Sequence, residues 1–150
     1  MTLYLEDYPV GTIFQSGERV ITGEDIDRFC DLSGDHNPLH KDDQWVRANT
    51  PFKQRIAHGL LVLSIASGMP CPQFDDMLII AYLSETRNFR APTYPGEAVR
   101  CFWEVVENRP SNSRPDAGLL RLTTRVEKSD GTVVQDGEDL LLVGRRALVP

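Results

Sequence analysis

A short apolar segment near the middle of the chain limits the folds that this sequence can adopt. Residues 59–68 read Gly-Leu-Leu-Val-Leu-Ser-Ile-Ala-Ser-Gly, so a helix formed by them is apolar nearly all round. Such a helix is expected to lie inside a protein rather than on its surface. Gly59 opens the helix and Gly68-Met69-Pro70 ends it. The rest of the chain must therefore supply a cover for this helix.

Capping signals divide the segment before this helix. We expect a strand over residues 11–20, bounded by glycine and followed by a helix start. Thr22-Gly23-Glu24-Asp25 resembles a capping box, which opens a helix that continues through about Ser33. Asp42 is expected to cap a further short helix around residues 44–48.

Strand patterns dominate the second half of the chain. Residues 120–126 alternate cleanly between two sets of side chains. Further strands are expected over residues 77–83, 97–107, from 132, and 139–148, with a break at Asp136-Gly137 and a mobile loop over residues 108–116. Helices followed by strands favour one α+β domain, residues 1–150, with the helices on one face of an antiparallel sheet.

Composition excludes several classes of partner. The formal net charge of −6 argues against nonspecific nucleic-acid binding, which needs clustered lysines and arginines. No apolar run reaches the length of a membrane span, and the N-terminal residues lack the pattern of a secretory signal. Cys30, Cys71 and Cys101 have neither metal-site nor redox-motif spacing. We therefore expect reduced thiols, a cytoplasmic location, and no binding of nucleic acid or membrane.

A turn before residue 40 can bring an acid and an imidazole together. Asp35 and His40 lie five residues apart, which is the wrong spacing for one face of a helix. Pro38 fixes its own φ and favours an extended Asn37, so the chain must turn between them. A carboxylate and an imidazole that converge on one water are equipped for general acid–base catalysis.

The start of the apolar helix offers a second functional feature. The first turn of a helix has unpaired backbone N–H groups and the positive end of the helix dipole. Gly59 has no side chain to keep a substrate carbonyl away from these donors. An acid–base pair and an oxyanion site are what proton transfer next to a carbonyl requires.

Together these segments resemble the MaoC-like, or (R)-specific enoyl-coenzyme A hydratase, family. The matching parts are residues 29–42 with their Asp-x-Asn-Pro-x-His core, residues 57–64 with their His-Gly opening, and residues 88–97. The resemblance implies a hot-dog fold, in which an antiparallel sheet wraps around a long central helix. It also implies a homodimer or higher homo-oligomer, with active sites at or near the interface.

The resemblance assigns roles to individual residues. It implies reversible syn addition of water to a trans-2-enoyl-coenzyme A (CoA), giving the (3R)-hydroxyacyl-CoA of fatty acid metabolism. His40 would act as the base toward water, and Asp35 would take part in delivering the proton to the α carbon. Gly59 would supply the backbone donor for the thioester oxygen. Ser64 matches the family serine that hydrogen-bonds the acid, and Asn37 would shape the loop and could contact the site. No metal or cofactor is required.

Other interpretations stay open at this point. The enzyme could instead dehydrate a branched or carboxylated hydroxyacyl-CoA, of the mesaconyl or methylmalyl type, and its pocket would then carry an extra cationic group. It could also be a noncatalytic domain that binds acyl thioesters, although a binder has no need for both Asp35 and His40. A metal site on His36 and His40 is disfavoured, because Pro38 disturbs helical spacing and no clear third ligand stands nearby. His58 is expected to support the helix entrance.

Overall fold

A five-stranded antiparallel sheet organises the computed structural model, which describes residues 1–146. Its strands are β1 (Ile13–Val20), β2 (Ile79–Phe89), β3 (Ala98–Pro110), β4 (Ala117–Lys128) and β5 (Val133–Gly144). The strand order is β1-β3-β4-β5-β2, and each pairing is antiparallel. Strands β1 and β2 are therefore the two edges of the sheet.

Helices precede most of the strands in the chain, as the sequence predicts. They are α1 (Gly23–Ser33), α2 (Asp43–Asn49), α3 (Gly59–Ser67) and α4 (Pro72–Asp75). The predicted capping box opens α1: the Asp25 amide donates to the Thr22 hydroxyl over 3.0 Å, and the Thr22 amide donates to the Asp25 carboxylate over 2.9 Å. Gly34 ends α1 with φ 78°, a left-handed conformation that suits glycine.

The helices of residues 1–146 are all too short or too polar to cross a membrane. The three cysteines are buried and free, as expected for reduced thiols.

Helix α3 lies against the sheet but is not enclosed by it. Leu61, Val62 and Ala66 are buried in the same core as side chains of β3 and β4. Leu60, in contrast, is 60% exposed, and Ser64 and Ser67 are exposed as well. The prediction that this helix is covered all round is therefore wrong for the single chain, because the sheet covers only one of its sides.

Strand boundaries differ from the prediction where the sequence contains glycine or turn residues. Strand β5 runs unbroken from Val133, although a break was predicted at Asp136-Gly137. Gly137 instead lies inside the ladder, where a Cβ would collide with the Thr86 backbone of β2. Strand β2 is longer than predicted and continues to Phe89. The predicted end of the last strand, at residue 148, lies outside the described residues.

The predicted loop over residues 108–116 is shorter than expected, because residues 108–110 belong to β3. The Asn108 side-chain amide donates to the carbonyls of Leu5 and Tyr8, over 2.8 and 2.7 Å. These bonds tie the N-terminal segment to the sheet, so only the following residues can act as a free loop.

Candidate active site

The turn between α1 and α2 is held by its own side chains. The Asp35 amide donates to the Ser33 hydroxyl over 3.1 Å, and the Asn37 amide donates to the Asp35 carboxylate, also over 3.1 Å. Asn37 in turn accepts from the amide two residues further on, over 3.0 Å. Pro38 then begins a single turn of 3₁₀ helix that ends at His40. These local bonds aim Asp35 and His40 at one point.

The structure brings Asp35 and His40 together at the wall of a pocket. Asp35 Oδ2 lies 3.8 Å from His40 Nε2, which is too far for a direct hydrogen bond. Two atoms at this separation can both contact one water molecule at about 2.8 Å. His40 is buried, whereas the Asp35 carboxylate is about half exposed. The pair can therefore hold a water at the boundary between protein and pocket.

A backbone carbonyl decides which nitrogen of His40 is basic. His40 Nδ1 lies 2.9 Å from the Ile56 carbonyl oxygen. Because a carbonyl can only accept, Nδ1 carries the hydrogen in this bond. In neutral His40 the lone pair is then on Nε2, the nitrogen that faces Asp35. His40 is thus held in the tautomer that a general base toward a pocket water needs.

His58 contributes more to this site than the sequence indicated. Its ring stacks on His40, with centroids 3.7 Å apart and an interplanar angle of 23°. Burial lowers the pKa of the His58 imidazole, which favours the neutral ring. His58 Nε2 lies 3.1 Å from the Asp35 carbonyl oxygen and donates to it. His58 therefore holds both members of the acid–base pair in place.

Asp35, His40 and His58 form a group that could be considered for a metal ion. One possible ligand atom from each residue lies within 4.8 Å of the others. His58 is the member of this group that the sequence pattern did not indicate. However, His58 Nε2 donates to the Asp35 carbonyl and His40 Nδ1 donates to the Ile56 carbonyl, so two of the four imidazole nitrogens carry a hydrogen and cannot bind a metal ion. The geometry suits acid–base chemistry better than metal binding.

A pocket of about 580 Å³ adjoins the pair. Asp35, His40, His58 and Gly59 contribute to its wall, and the remaining lining is largely apolar. The large apolar side chains that line it are Phe29, Leu39, Phe52, Ile56, Leu60 and Phe89. A cleft with few polar groups and a mostly apolar lining is typical of a small-molecule site.

Gly59 lies at the pocket as the first residue of α3. Its amide donates to no acceptor within residues 1–146, as is usual at a helix start. A Cβ built on Gly59 would lie 2.5 Å from two ring atoms of Phe89, so a larger residue cannot fit without moving that ring. The Gly59 carbonyl accepts a 2.7 Å hydrogen bond from Gln135 of β5, a residue that the sequence did not point to.

Ser64 does not occupy the expected place. Its hydroxyl donates to the Leu60 carbonyl over 2.7 Å, and the residue lies on the exposed side of α3, outside the pocket. Within the described residues Ser64 makes no hydrogen bond to Asp35. Asn37 accepts from the Leu39 amide within the turn and lies outside the pocket lining, so the structure does not show the contact with the site that the resemblance allowed.

Known proteins are similar in sequence to this chain over most of its length. Residues 9–128 match the family described as "MaoC like domain". The 3-hydroxybutyryl-CoA dehydratase of Methylorubrum extorquens is 35% identical over 144 residues, which cover 96% of this chain and 86% of that protein. The (R)-specific enoyl-CoA hydratase of Aeromonas caviae is 33% identical over 114 residues, covering 76% of this chain and 80% of that protein.

A structural likeness identifies the fold. A Mycobacterium tuberculosis protein described as having a double hot-dog fold matches 99% of this chain and 46% of its own chain, with a TM-score of 0.84 and 20% identity. The antiparallel sheet with α3 against it is accordingly a hot-dog fold, as the resemblance implied. The matched residues and the similarity to the two named enzymes show that the chain belongs to the MaoC-like family of hydratases and dehydratases.

Proposed function

We propose that this protein adds water reversibly to a trans-2-enoyl-CoA thioester and forms the (3R)-hydroxyacyl-CoA. The observation that carries the proposal is the bond from His40 Nδ1 to the Ile56 carbonyl. In neutral His40 this bond leaves Nε2 without a hydrogen and facing Asp35, in the pocket that also contains Gly59. The names of the two similar enzymes support the same reaction class.

Each group has a step in this reaction. His40 Nε2 takes a proton from the bound water as the water oxygen attacks the β carbon of the enoyl group. Negative charge then develops on the thioester oxygen, and the Gly59 amide donates to it. Removal of one such donor typically costs about 10²–10³ in rate. The enolate is then protonated at its α carbon: the proton leaves the His40 imidazolium, and Asp35, 3.8 Å from His40 Nε2, takes part in its delivery, so His40 is neutral again after the reaction. Oxygen and proton thus arrive from the same side, which gives syn addition.

The neutral ring of His58 fits this mechanism. When His40 takes up a proton, a second positive charge stacked against it would oppose the transfer. Burial keeps the pKa of His58 below its ordinary value, so His58 remains uncharged beside His40. No metal or cofactor is needed for these steps.

The pocket favours an uncharged acyl chain over a carboxylated one. A carboxylated substrate would need a cationic partner, and Arg90 is a charged residue of the pocket lining. Arg90 Nε, however, lies 3.1 and 3.0 Å from the two carboxylate oxygens of Asp136. Its charge is largely balanced before any substrate binds. The apolar side chains of the pocket suit a hydrocarbon chain instead.

A panel of four substrates tests this proposal. The conjugated thioester absorbance is followed with crotonyl-, hexenoyl-, octenoyl- and mesaconyl-CoA, and the product is resolved by chiral chromatography. We expect turnover of at least one straight-chain substrate, with the (3R) alcohol as product. Turnover of mesaconyl-CoA alone would favour the carboxylated alternative. Formation of the (3S) alcohol would reject the mechanism, and binding without turnover would point to a noncatalytic thioester-binding domain.

A further inference from the structure

We propose that Gln135 is a positioning residue that fixes the Gly59 amide in the direction of the thioester oxygen. This inference rests on the proposed function, because it concerns the oxyanion site of that reaction. Gln135 lies on β5 and is only 2% exposed. Its Nε2 donates to the Gly59 carbonyl over 2.7 Å, and the residue lines the same pocket as Asp35 and His40.

Gly59 needs such an anchor because of its own flexibility. The Phe89 ring excludes a side chain at this position, and glycine is conformationally permissive. The Gly59 N–H itself donates to no acceptor within the helix, and its peptide unit is held only through the His58 carbonyl, which accepts from the Val62 amide over 3.1 Å. The amide and the carbonyl of one residue are related by its φ and ψ angles. A bond that fixes the carbonyl therefore limits the directions in which the amide can point.

The residue before Gly59 is held from the other side. The His58 ring stacks on His40 and donates to the Asp35 carbonyl. Gly59 is therefore fixed on both sides, by the acid–base turn through His58 and by the sheet through Gln135. This arrangement sets the amide donor and the water-holding pair in a fixed relation to each other.

The side-chain oxygen of Gln135 supports this interpretation. Oε1 is buried and has no hydrogen-bond partner among the described residues. An unpaired buried acceptor costs free energy that an apolar side chain of similar size, such as methionine, would avoid. Packing alone therefore does not explain a glutamine here, whereas the bond from Nε2 to Gly59 does.

Strand β5 also holds the neighbouring wall of the pocket. The carbonyl of Val134 accepts from the amides of Arg90 and Ala91, over 2.8 and 3.4 Å. Ala91 and Val134 both line the pocket. Val134 and Gln135 are consecutive residues of β5. They hold the pocket wall and the start of α3, so both parts of the site are attached to the same strand.

Gln135→Met tests the inference, because methionine has nearly the same shape but no donor. We expect kcat for enoyl-CoA hydration to fall about 10- to 100-fold, the range for a reacting group displaced by up to an ångström. KM should change much less, since the lost interaction is made in the transition state. The matched control is Thr124→Val, which removes another buried hydrogen bond, to Asp139 on β5, outside this pocket. It should keep the wild-type kcat.

Gln135→Glu should restore the hydrogen bond to Gly59 only when the new carboxyl group is protonated. A protonated carboxyl group can donate to the Gly59 carbonyl, whereas a carboxylate cannot. Burial raises the pKa of such a group, so protonation is accessible at mildly acidic pH. The ratio of the Gln135→Glu rate to the wild-type rate should therefore rise as pH falls, and the ratio for Gln135→Met should stay flat. Asp35, His40, His58 and Arg90 line the pocket in all three proteins, so their effects on the rate cancel in these ratios.

A readout without turnover separates this inference from the proposed function. With ¹⁵N-glycine labelling, the Gly59 amide gives its own NMR signal, and its hydrogen exchange can be measured in the free protein. With unreactive butyryl-CoA labelled at the thioester carbonyl, the infrared stretch reports the hydrogen bond to the bound oxygen. Gln135→Met should speed the Gly59 exchange and reduce the infrared shift, and Thr124→Val should change neither.

The outcomes are distinct. Wild-type kcat together with unchanged Gly59 exchange in Gln135→Met would overturn the positioning role. If Gln135→Met does not fold, the pH ratio of Gln135→Glu decides, and a flat ratio would overturn it as well. If the wild-type protein hydrates none of the enoyl-CoA substrates, the proposed function fails, while the exchange comparison still decides whether Gln135 holds Gly59.

Discussion

At the scale of single residues, the proposed mechanism makes Asp35 and His40 one functional unit. We expect Asp35→Asn and His40→Ala each to lower crotonyl-CoA hydration nearly to background, with an unchanged circular dichroism spectrum. Because both groups act on one water, the double variant should be little worse than either single variant. His36→Ala is the matched control, since His36 is an exposed histidine of the same turn outside the pocket. Normal turnover by a folded Asp35→Asn or His40→Ala protein would contradict the assignment.

His58 should make folding stability depend on pH. Its pKa is lowered by burial in the folded protein and returns to about 6.5 on unfolding. Above that pH neither state binds a proton, whereas below it the unfolded state takes up the proton first, so stability falls as pH falls. His58→Gln should lack this contribution. Urea denaturation at pH 7.5, 6.5 and 5.5 measures it, and parallel pH profiles for both proteins would refute it.

Some residues of this site can be identified from the sequence, and others cannot. Asp35, Asn37 and His40 lie in one short motif, and their spacing around Pro38 is itself informative. The contacts of His58 and Gln135 join residues that lie 23 and 76 positions apart in the chain. Their roles depend on tertiary packing, which no local pattern contains. Ser64 shows the opposite case, because the motif pairs it with Asp35 whereas in the structure its hydroxyl donates to the Leu60 carbonyl.

At the scale of elements, the contact between α3 and β2 restricts Gly59. We expect Gly59→Ala to lower the free energy of unfolding by about 1–3 kcal/mol, because its Cβ would crowd the Phe89 ring. Phe89→Ala in the same background should recover most of this loss, since the ring is 57% exposed and contributes little itself. Urea denaturation at fixed protein concentration gives the values. Equal stability of Gly59→Ala and wild type would show that the ring moves freely.

Local signals predict some elements well and others poorly. The capping box at Thr22 and the alternation along β4 involve neighbouring residues, and the structure has both. The unbroken course of β5 could not be predicted, because Gly137 allows the close approach of β2 and does not form a turn. Residue type alone gives the same signal for a glycine in a turn and a glycine under a neighbouring strand.

At the scale of the whole molecule, one edge of the sheet carries an uncovered apolar surface. Its exposed apolar residues, together called the β2 face, belong to β2, the residue before it and α3: Leu60, Leu78, Ile80, Tyr82, Leu83 and Phe89. Those on β2 lie along the edge rather than on a single side of the sheet, because neighbouring side chains of a strand point to opposite sides. Strand β1, the other edge, has two exposed large apolar residues, Ile13 and Val20, and so offers less apolar surface. An unpaired sheet edge with exposed apolar side chains favours pairing with another chain. A second copy of the chain should therefore pair through the β2 face.

Two matched substitutions test this dimer. Ile80→Lys places a charge on the β2 face and should give a monomer with little activity, because the exposed side of α3 then stays uncovered. Ile13→Lys places the same charge on β1, where Ile13 is even more exposed, at 67% against 38% for Ile80. It should leave the dimer intact. Light scattering with size-exclusion chromatography measures both masses, and a fully active wild-type monomer would refute the dimer.

The strand order has a consequence for synthesis of the protein. Within residues 1–146 strand β2 pairs only with β5, which follows two other strands in the chain. As the chain leaves the ribosome, β2 therefore emerges well before the strand with which it pairs. Gln135 arrives with that strand, so the pocket is completed late. Ribosome-bound chains that expose only residues 1–128 should be cleaved by protease within β2, whereas chains that expose β5 should resist; equal cleavage would contradict this order. Nascent chains of this protein therefore have their apolar surface long before their binding site.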